Sequence, residues 1–134
     1  MSRASLLVFA VNSELPRAVH ARLEVFAKAM SLPAPVRFAA DTALEELLQN
    51  VLDYSGAHEV RLRLAVEAGE LRVELADDGR PYNPLAAAEP DLTTPLGHRE
   101  IGGLGIHLVR QVMDRAAYEH RGGKNRVKLA KALH

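Results

Sequence analysis

The sequence predicts one α/β domain in which helices pack against a β-sheet. Apolar residues alternate with polar ones over Val60–Val66 and Leu71–Leu75, as they do in strands with one buried face. Over Glu14–Met30 the apolar residues recur at spacings of three and four, the period of an amphipathic helix. A length of 134 residues suits one domain. We therefore expect residues 1–134 to form a single folding unit.

The composition excludes several classes of function. Lys plus Arg and Asp plus Glu balance at 17 each, so no net field favours nucleic acid or an acidic membrane surface. The absence of Cys excludes disulfides, thiolate metal sites and Cys nucleophiles, and it agrees with a cytoplasmic location. The apolar run Leu6–Val11 is far shorter than the roughly 20 residues of a membrane span, so we expect no membrane crossing. The histidines show no metal-ligand spacing.

The first 40 residues predict a strand, a helix and a second short strand. Ser5–Val11 is a continuous apolar run rich in strand formers. The helix Glu14–Met30 follows, and Pro33 and Pro35 are expected to close it off. Val36–Phe38 would then form a short edge strand.

A second helix is expected over Asp41–Tyr54, capped by Thr42 or by the aspartate before it and stopped at Ser55-Gly56. Glu46 and Asn50 lie one turn apart on its polar side, so a carboxylate and a carboxamide point the same way. By itself this spacing is typical of a solvated helix face.

The hairpin that follows turns at Glu67–Glu70 and brings an acidic residue onto its buried face. Leu71 and Asp77 share one face by alternation, whereas Asp78 lies on the other. A carboxylate on an apolar face needs a hydrogen-bonding partner, such as a ligand amine or an ordered water. Gly79 permits a close backbone approach to a flat ligand or a positive φ. The alternative interpretation is an ordinary D-D-G turn.

Arg80–Ile101 holds four prolines and little periodicity, which in a compact domain is typical of a functional loop and predicts a lid. A helix should run from about Gly103 or Leu104 to Asp114. The strands Ala116–Glu119 and Arg126–Lys131 should then form a closing hairpin around two glycines.

The run Gly102-Gly103-Leu104-Gly105 leads into that last helix, whose expected inward residues are Ile106, Val109 and Met113. Glycines weaken a helix start by roughly 1 kcal/mol each relative to Ala. Bare N–H groups at a helix N-terminus bind anions, so a phosphate site would offset this cost, whereas a hinge for the lid is the alternative. Walker and Rossmann fingerprints are both absent, the latter because Leu108 stands where a glycine is required.

Three stretches, in this order and spacing, closely resemble motifs of the GHKL ATPase/kinase superfamily, and within it the RsbW/SpoIIAB-type anti-sigma factor serine kinases. EELLQNVLDYSG resembles the N box, and ELADDGRPYNPL resembles the first glycine box. REIGGLGIHLVRQVMDRAAYEHRGGKNRVKL resembles the second glycine box and the end of the fold. The resemblance covers most of the chain from Asp41 onward.

The resemblance implies a Bergerat ATP-binding fold, a two-layer α/β sandwich with helices on one face of a mixed sheet and the nucleotide between the helices and an ATP lid over residues 80–101. By this analogy Asp77 would bind the adenine amine and Gly79 would sit against the base. Asn50 would hold Mg²⁺. Glu46 would be the base that polarises the incoming serine hydroxyl, which suits phosphoryl transfer because that reaction mainly requires positioning and charge stabilisation.

The same analogy assigns the phosphates to the second glycine box. Gly103 and Gly105, within Gly102-Gly103-Leu104-Gly105, would present N–H groups to them. Arg99 would either reach a phosphate or pair with lid acids such as Glu89 or Asp91.

The chain departs from the family pattern at two places. Asp53-Tyr54 stands where the family often has a basic residue or His after the N-box Asn, which removes a possible phosphate contact. Lys128 stands near the C-terminal strand, where a Thr commonly supports the adenine-binding Asp.

The resemblance implies a cytoplasmic ATP-dependent serine/threonine protein kinase that phosphorylates a STAS-type anti-sigma factor antagonist. A sigma factor would be a second partner, and the family commonly forms homodimers. The alternative is an ATP-binding partner-switching module with little kinase activity. A sensor histidine kinase fragment is a third interpretation, which the absence of a preceding helix pair with a phosphoacceptor His disfavours.

Overall fold

The computed structural model describes residues 3–86 and 101–134, and residues 101–106 by their backbone alone. Five strands and three helices follow one another in these parts of the chain. In order they are β1 (Ala4–Ala10), α1 (Leu15–Met30), α2 (Ala34–Asn50), β2 (Glu59–Glu67), β3 (Glu70–Asp77), α3 (Ile101–Val112), β4 (Arg115–Arg121) and β5 (Lys124–Ala132).

The strands form one sheet in the order β1-β2-β3-β5-β4, and each of the four pairings is antiparallel. The α/β fold class is confirmed, but the mixed sheet that the resemblance implied is an antiparallel one in the described strands. One face of the sheet packs against the helices around an aliphatic core. Its largest fully buried side chains are Leu15, Leu23, Leu44, Leu47, Leu48, Leu62, Leu64, Leu71, Val19, Val60 and Val73.

Two predictions for the N-terminal region are wrong, the short edge strand and the cap of the second helix. Val36–Phe38 belongs to α2 and is not an edge strand. Pro33 precedes the helix in an extended conformation, and Pro35 lies in its first turn, where a missing N–H costs nothing. The prolines therefore start α2 as well as following α1. Because α2 begins at Ala34, Thr42 and the aspartate before it lie inside the helix and do not cap it.

One π-helical turn extends α2 at its C-terminal end. Val51–Ser55 continues the helix in π-helical form, and Gly56 stops it with a φ of 66°, as predicted. The Ser55 hydroxyl donates to the Val51 carbonyl oxygen at 3.0 Å and accepts from the Ala57 N–H at 3.1 Å. Turns of this kind are frequent at functional sites because they change which side chains face inward.

Both predicted hairpins are confirmed. Ala68 and Gly69 have positive φ values of 51° and 75°, and Gly122 and Gly123 have 61° and 73°. Two consecutive residues with positive φ make the tight turn whose twist matches that of the flanking strands.

The helix α3 starts earlier than predicted. It begins at Ile101, so Gly102-Gly103-Leu104-Gly105 forms part of its first turns and does not precede it. Val109 and Met113 are buried, as predicted. Most of the predicted lid lies outside the described residues. None of the helices that the structure describes is long and apolar enough to cross a membrane.

Candidate functional site

A small cleft lies between α2, β3, β5 and the segment that follows β3. Two of the residues singled out from the sequence, Asn50 and Asp77, line it together although they come from different layers of the fold. Its other lining residues are Leu47, Val51, Ser55, Leu75, Tyr82, Pro84, Asn125 and Val127. The lining is mostly apolar with a few convergent polar groups, which is the usual make-up of a small-molecule site.

Asp77 lies in the buried row of β3, as the alternation predicts, and is 8% exposed. Its Oδ1 accepts hydrogen bonds from the Gly79 N–H at 2.9 Å and from Asn125 Nδ2 at 3.0 Å. Its neighbour Asp78 is exposed and accepts from the backbone N–H groups of His58 and Glu59. These bonds, that of Glu59 above all, lower the pKa of the Asp78 carboxyl. The two adjacent acids therefore have different roles, since Asp78 hydrogen-bonds the backbone at the start of β2 whereas Asp77 lines the cleft.

Asn125 is the site residue that sequence reasoning missed. It pairs with Asp77 in the register of β3 and β5, and it is 2% exposed. Lys128, which stands near this position in the comparison with the family, is exposed and forms an ion pair with Glu119 at 3.6 Å. The partner of Asp77 is thus an amide three residues earlier in the strand. The signal was present in the sequence, because Asn125 alternates with the buried Val127 and Leu129.

Gly79 is required by the fold. A Cβ on this residue would lie 2.3 Å from the Ser55 carbonyl oxygen, so no side chain fits. Its φ is outside the positive range, and the close approach is to the protein's own backbone. The Arg80 N–H donates to the same Ser55 oxygen at 2.9 Å, and the Arg80 guanidinium donates to the Tyr54 carbonyl oxygen at 2.7 Å. This contact joins the segment after β3 to the π turn after α2.

Asn50 is buried at 4% exposure, and its Nδ2 has no hydrogen-bond partner among the described residues. Leaving a buried amide unpaired costs about 1–3 kcal/mol. A ligand or ion in the cleft is a physical reason to retain it. A carboxamide side chain also offers an oxygen of the type that Mg²⁺ prefers, so this residue fits the metal-holding role that the resemblance implies.

Glu46 lies one helical turn before Asn50 and is partly buried. It has no hydrogen bond or ion pair within the described residues. Loss of solvation raises the pKa of its carboxyl, and the negative charges of Asp53 and Glu45 raise it further. It does not line the cleft itself. A partly buried carboxylate with a raised pKa, one helical turn from a cleft residue, is a candidate for proton transfer.

An aromatic pair stands at the cleft. The rings of Tyr54 and Tyr82 are stacked, with centroids 5.5 Å apart and planes inclined by 28°. Tyr54 therefore replaces a basic residue with a contact to the segment that follows β3.

The remaining predicted phosphate residues are only partly described. Gly102, Gly103, Leu104 and Gly105 have their backbone in α3. Arg99 and its predicted alternatives, Glu89 and Asp91, lie outside the described residues.

Comparison with known proteins agrees with the three motifs. The family described as the histidine kinase-like ATPase domain matches residues 9–131. The serine/threonine-protein kinase BtrW of Bordetella bronchiseptica is 29% identical over 100 residues, which make up 72% of this chain and 70% of that protein. This match extends over most of both chains.

Two solved structures share the fold. The crystal structure of the RsbU and RsbW domains of a Mycobacterium tuberculosis protein matches with a TM-score of 0.69 at 13% identity, covering 96% of this chain and 32% of that one. The histidine kinase AdeS of Acinetobacter baumannii matches with a TM-score of 0.55 at 16% identity, covering 97% of this chain and 68% of that one. At such identities the likeness concerns the fold alone.

Proposed function

This chain belongs to the histidine kinase-like ATPase family, and from that premise we propose that it is an ATP-dependent serine/threonine protein kinase of the anti-sigma regulator type. The relative in Bordetella bronchiseptica is named a serine/threonine-protein kinase, which supports the reaction type. The observation that carries the proposal is the cleft in which Asp77 lies with Asn50, whose Nδ2 has no hydrogen-bond partner in the part of the chain that the structure describes.

Asp77 would bind the nucleobase. Its Oδ1 is held by two donors, and the described residues give its Oδ2 no partner. The side chain is therefore fixed in one orientation with an acceptor left for a ligand. An exocyclic amine such as that of adenine satisfies this acceptor.

Asn50 would hold Mg²⁺ at the phosphates. When bound, the ion neutralises charge on the phosphate oxygens as the transferred group separates. The N–H groups at the start of α3, from Gly102 to Gly105, would face the same phosphates, and Arg99 would assist them. These assignments follow the family pattern residue by residue.

Glu46 would act as the general base. The serine hydroxyl of the substrate gives its proton to the Glu46 carboxylate while its oxygen forms a bond to the γ-phosphorus. The bond between that phosphorus and the bridging oxygen breaks, and ADP leaves with the electron pair. The raised pKa of Glu46 suits this role, because a base is most effective when its pKa is closer to the working pH.

The substrate we propose is a STAS-type anti-sigma factor antagonist, with a sigma factor as a second partner. The resemblance of the three motifs to those of RsbW/SpoIIAB-type kinases supports this context, and the matched structure that contains an RsbW domain shares the fold. We further propose a cytoplasmic location and a homodimer, as the resemblance implies.

A partner-switching module with little phosphoryl transfer is the second candidate. One observation favours it: Glu46 does not line the cleft in which Asn50 and Asp77 lie. In such a module ATP would order the lid over residues 80–101 and change the affinity for a partner protein.

The decisive experiment is single-turnover transfer from γ-labelled ATP to a purified candidate antagonist, with nucleotide binding measured in parallel by calorimetry. Glu46→Ala should leave affinity within a few-fold while transfer falls by roughly 10²–10⁴. Asn50→Ala should damage both quantities, because a metal ligand acts in the ground state and in the transition state. Tight binding by the wild type with no transfer to any antagonist would favour the switching module.

A further inference from the structure

We propose that Asn125, held in one orientation by the backbone of Arg80 and Tyr82 together with the Tyr118 hydroxyl, determines the selectivity of the cleft for a base that carries an amine. This inference rests on the proposed nucleotide site and adds two residues to it. Neither touches the base in our account. They act through Asp77 as positioning residues.

Asn125 uses its full hydrogen-bonding capacity inside the protein. Its Nδ2 donates to Asp77 Oδ1 at 3.0 Å and to the Arg80 carbonyl oxygen at 2.8 Å. Its Oδ1 accepts from the Tyr82 N–H at 3.0 Å and from the Tyr118 hydroxyl at 2.5 Å. Two hydrogens and two lone pairs are thus all engaged.

These partners permit only one orientation of the amide. A backbone N–H can only donate, so Tyr82 must meet the oxygen end. A backbone carbonyl can only accept, so Arg80 must meet the nitrogen end. The Tyr118 hydroxyl adds a second donor on the oxygen side, which raises the cost of exchanging the two ends. The nitrogen of Asn125 therefore always faces Asp77.

The consequence is a site that offers acceptors and no donor from these two side chains. Asp77 Oδ1 accepts from the Gly79 N–H as well as from Asn125 Nδ2, so this oxygen serves as an acceptor only. Asn125 has no hydrogen left to give to a ligand. The amine of a 6-amino base can donate a hydrogen bond to the Asp77 carboxylate. The carbonyl oxygen of a 6-oxo base is an acceptor, so it would face the carboxylate oxygen without a hydrogen between them. Sites that leave buried polar groups unpaired discriminate strongly against the wrong ligand.

Tyr118 links this selectivity to the edge of the sheet. It lies on β4, the outermost strand, and reaches Asn125 diagonally across the β4–β5 pairing. The Tyr118 ring is half-buried. Its hydroxyl is the only polar atom of the side chain, and it is the atom that contacts Asn125. Removing the hydroxyl alone weakens the orientation of Asn125 without changing the cleft lining.

The test is calorimetric titration of the full chain with Mg-ATP and with Mg-ITP, in which the 6-amine of the base is replaced by a carbonyl oxygen. The measured quantity is the ratio of the two affinities. Asn125→Asp places a second carboxyl group beside Asp77, and one of two adjacent carboxyl groups takes up a proton. On Asp77 Oδ2, to which the described residues give no partner, that proton is a donor for a 6-oxo base, so the preference for ATP should fall by about tenfold, or 1.4 kcal/mol. A merely structural role would weaken both nucleotides equally.

Three further variants sharpen the result. Asn125→Thr keeps a donor for Asp77 and should largely preserve the ratio. Tyr118→Phe should lower it by roughly threefold, or about 0.7 kcal/mol, which lies within the range that one neutral hydrogen bond is worth. Lys128→Thr is the matched control on the same strand, and it should leave both affinities unchanged because Lys128 is exposed and does not face the cleft.

An unchanged ratio in both Asn125→Asp and Tyr118→Phe would overturn the inference while leaving ATP binding and the kinase proposal intact. If Asn125→Asp does not fold, an unchanged ratio in Tyr118→Phe alone overturns it. Failure of the wild type to bind either nucleotide would overturn the inference and the proposed function together.

Discussion

The two polar parts of the cleft differ in how well the protein itself satisfies them. At the β3–β5 part, Asp77 and Asn125 are joined by short hydrogen bonds and are anchored to neighbouring backbone. At the α2 part, Asn50 Nδ2 is buried and has no hydrogen-bond partner among the described residues, and Glu46, one turn earlier and outside the cleft lining, makes no hydrogen bond or ion pair with them. The protein itself therefore satisfies the polar groups of the first part, whereas the described residues leave polar groups of the second part unpaired.

The difference matches the roles that we propose for the two parts, namely base binding by the first and phosphate binding and transfer by the second. A preorganised group binds a base without first being ordered, so little affinity is lost. Unsatisfied groups lower the stability of the free protein, and they are retained where a ligand or a reaction uses them. Substitutions in the two parts should therefore have opposite effects on the stability of the free protein.

The largest effect on stability is expected at Gly79, which supports the preorganised part. Gly79→Ala places a methyl group 2.3 Å from the Ser55 carbonyl oxygen, and backbone atoms cannot move aside cheaply. The free energy of unfolding should fall by about 2–3 kcal/mol in urea titrations. Gly56→Asn is the control, because its φ of 66° suits Asn and a Cβ there would meet no atom within 4 Å. Equal losses in the two variants would show that the close contact with Ser55 does not matter.

A smaller effect is expected for ligand affinity at the acid that faces the cleft. Asp77→Asn should weaken ATP binding at least tenfold, a loss of about 1.4 kcal/mol or more, because an amide cannot match the amine as a carboxylate does. Asp78→Asn should leave ATP affinity unchanged, since Asp78 serves the backbone of His58 and Glu59. Calorimetry on both variants checks the pair. Identical affinities for wild type and Asp77→Asn would refute the assignment.

The smallest effect concerns pH and Glu46. Its carboxyl has a raised pKa in the folded protein, so its contribution to stability is fully present below the unfolded pKa of about 4.3 and is lost as pH rises through the folded pKa. At pH values above the folded pKa of Glu46, the Glu46→Gln variant should therefore be more stable than the wild type. The gain should stay below about 1 kcal/mol because the side chain is partly exposed and solvent screens it. Urea titrations at pH 4 and pH 8 measure it, and a difference of opposite sign would remove the argument that burial disfavours the charged form of Glu46.

The sequence predicted the hairpins, the two longer helices in outline and the buried position of Asp77, because each depends on local periodicity. It misplaced the start of α2, since proline both ends one helix and begins another. Asn125 lies on the buried side of its strand by the same alternation as Asp77. The comparison with the family instead directed attention to Lys128, three residues later, as the position of the partner of Asp77.

Other features depend on three-dimensional neighbours and leave no local signal. The missing partner of Asn50 is visible only when every surrounding group is placed. The need for glycine at position 79 comes from Ser55, more than 20 residues earlier in the chain. The stacking of Tyr54 on Tyr82 likewise joins two distant segments.

The most direct test of the contrast between the two parts is the unfolding free energy of Asn50→Leu and Asn125→Leu without nucleotide, measured side by side in urea. Each change removes an amide of similar size from a buried position. We predict that Asn50→Leu is as stable as wild type or more stable by about 1 kcal/mol, whereas Asn125→Leu loses at least about 2 kcal/mol because its partners are left unpaired. Equal destabilisation by both changes would contradict the account, since Asn50 would then be a satisfied structural residue.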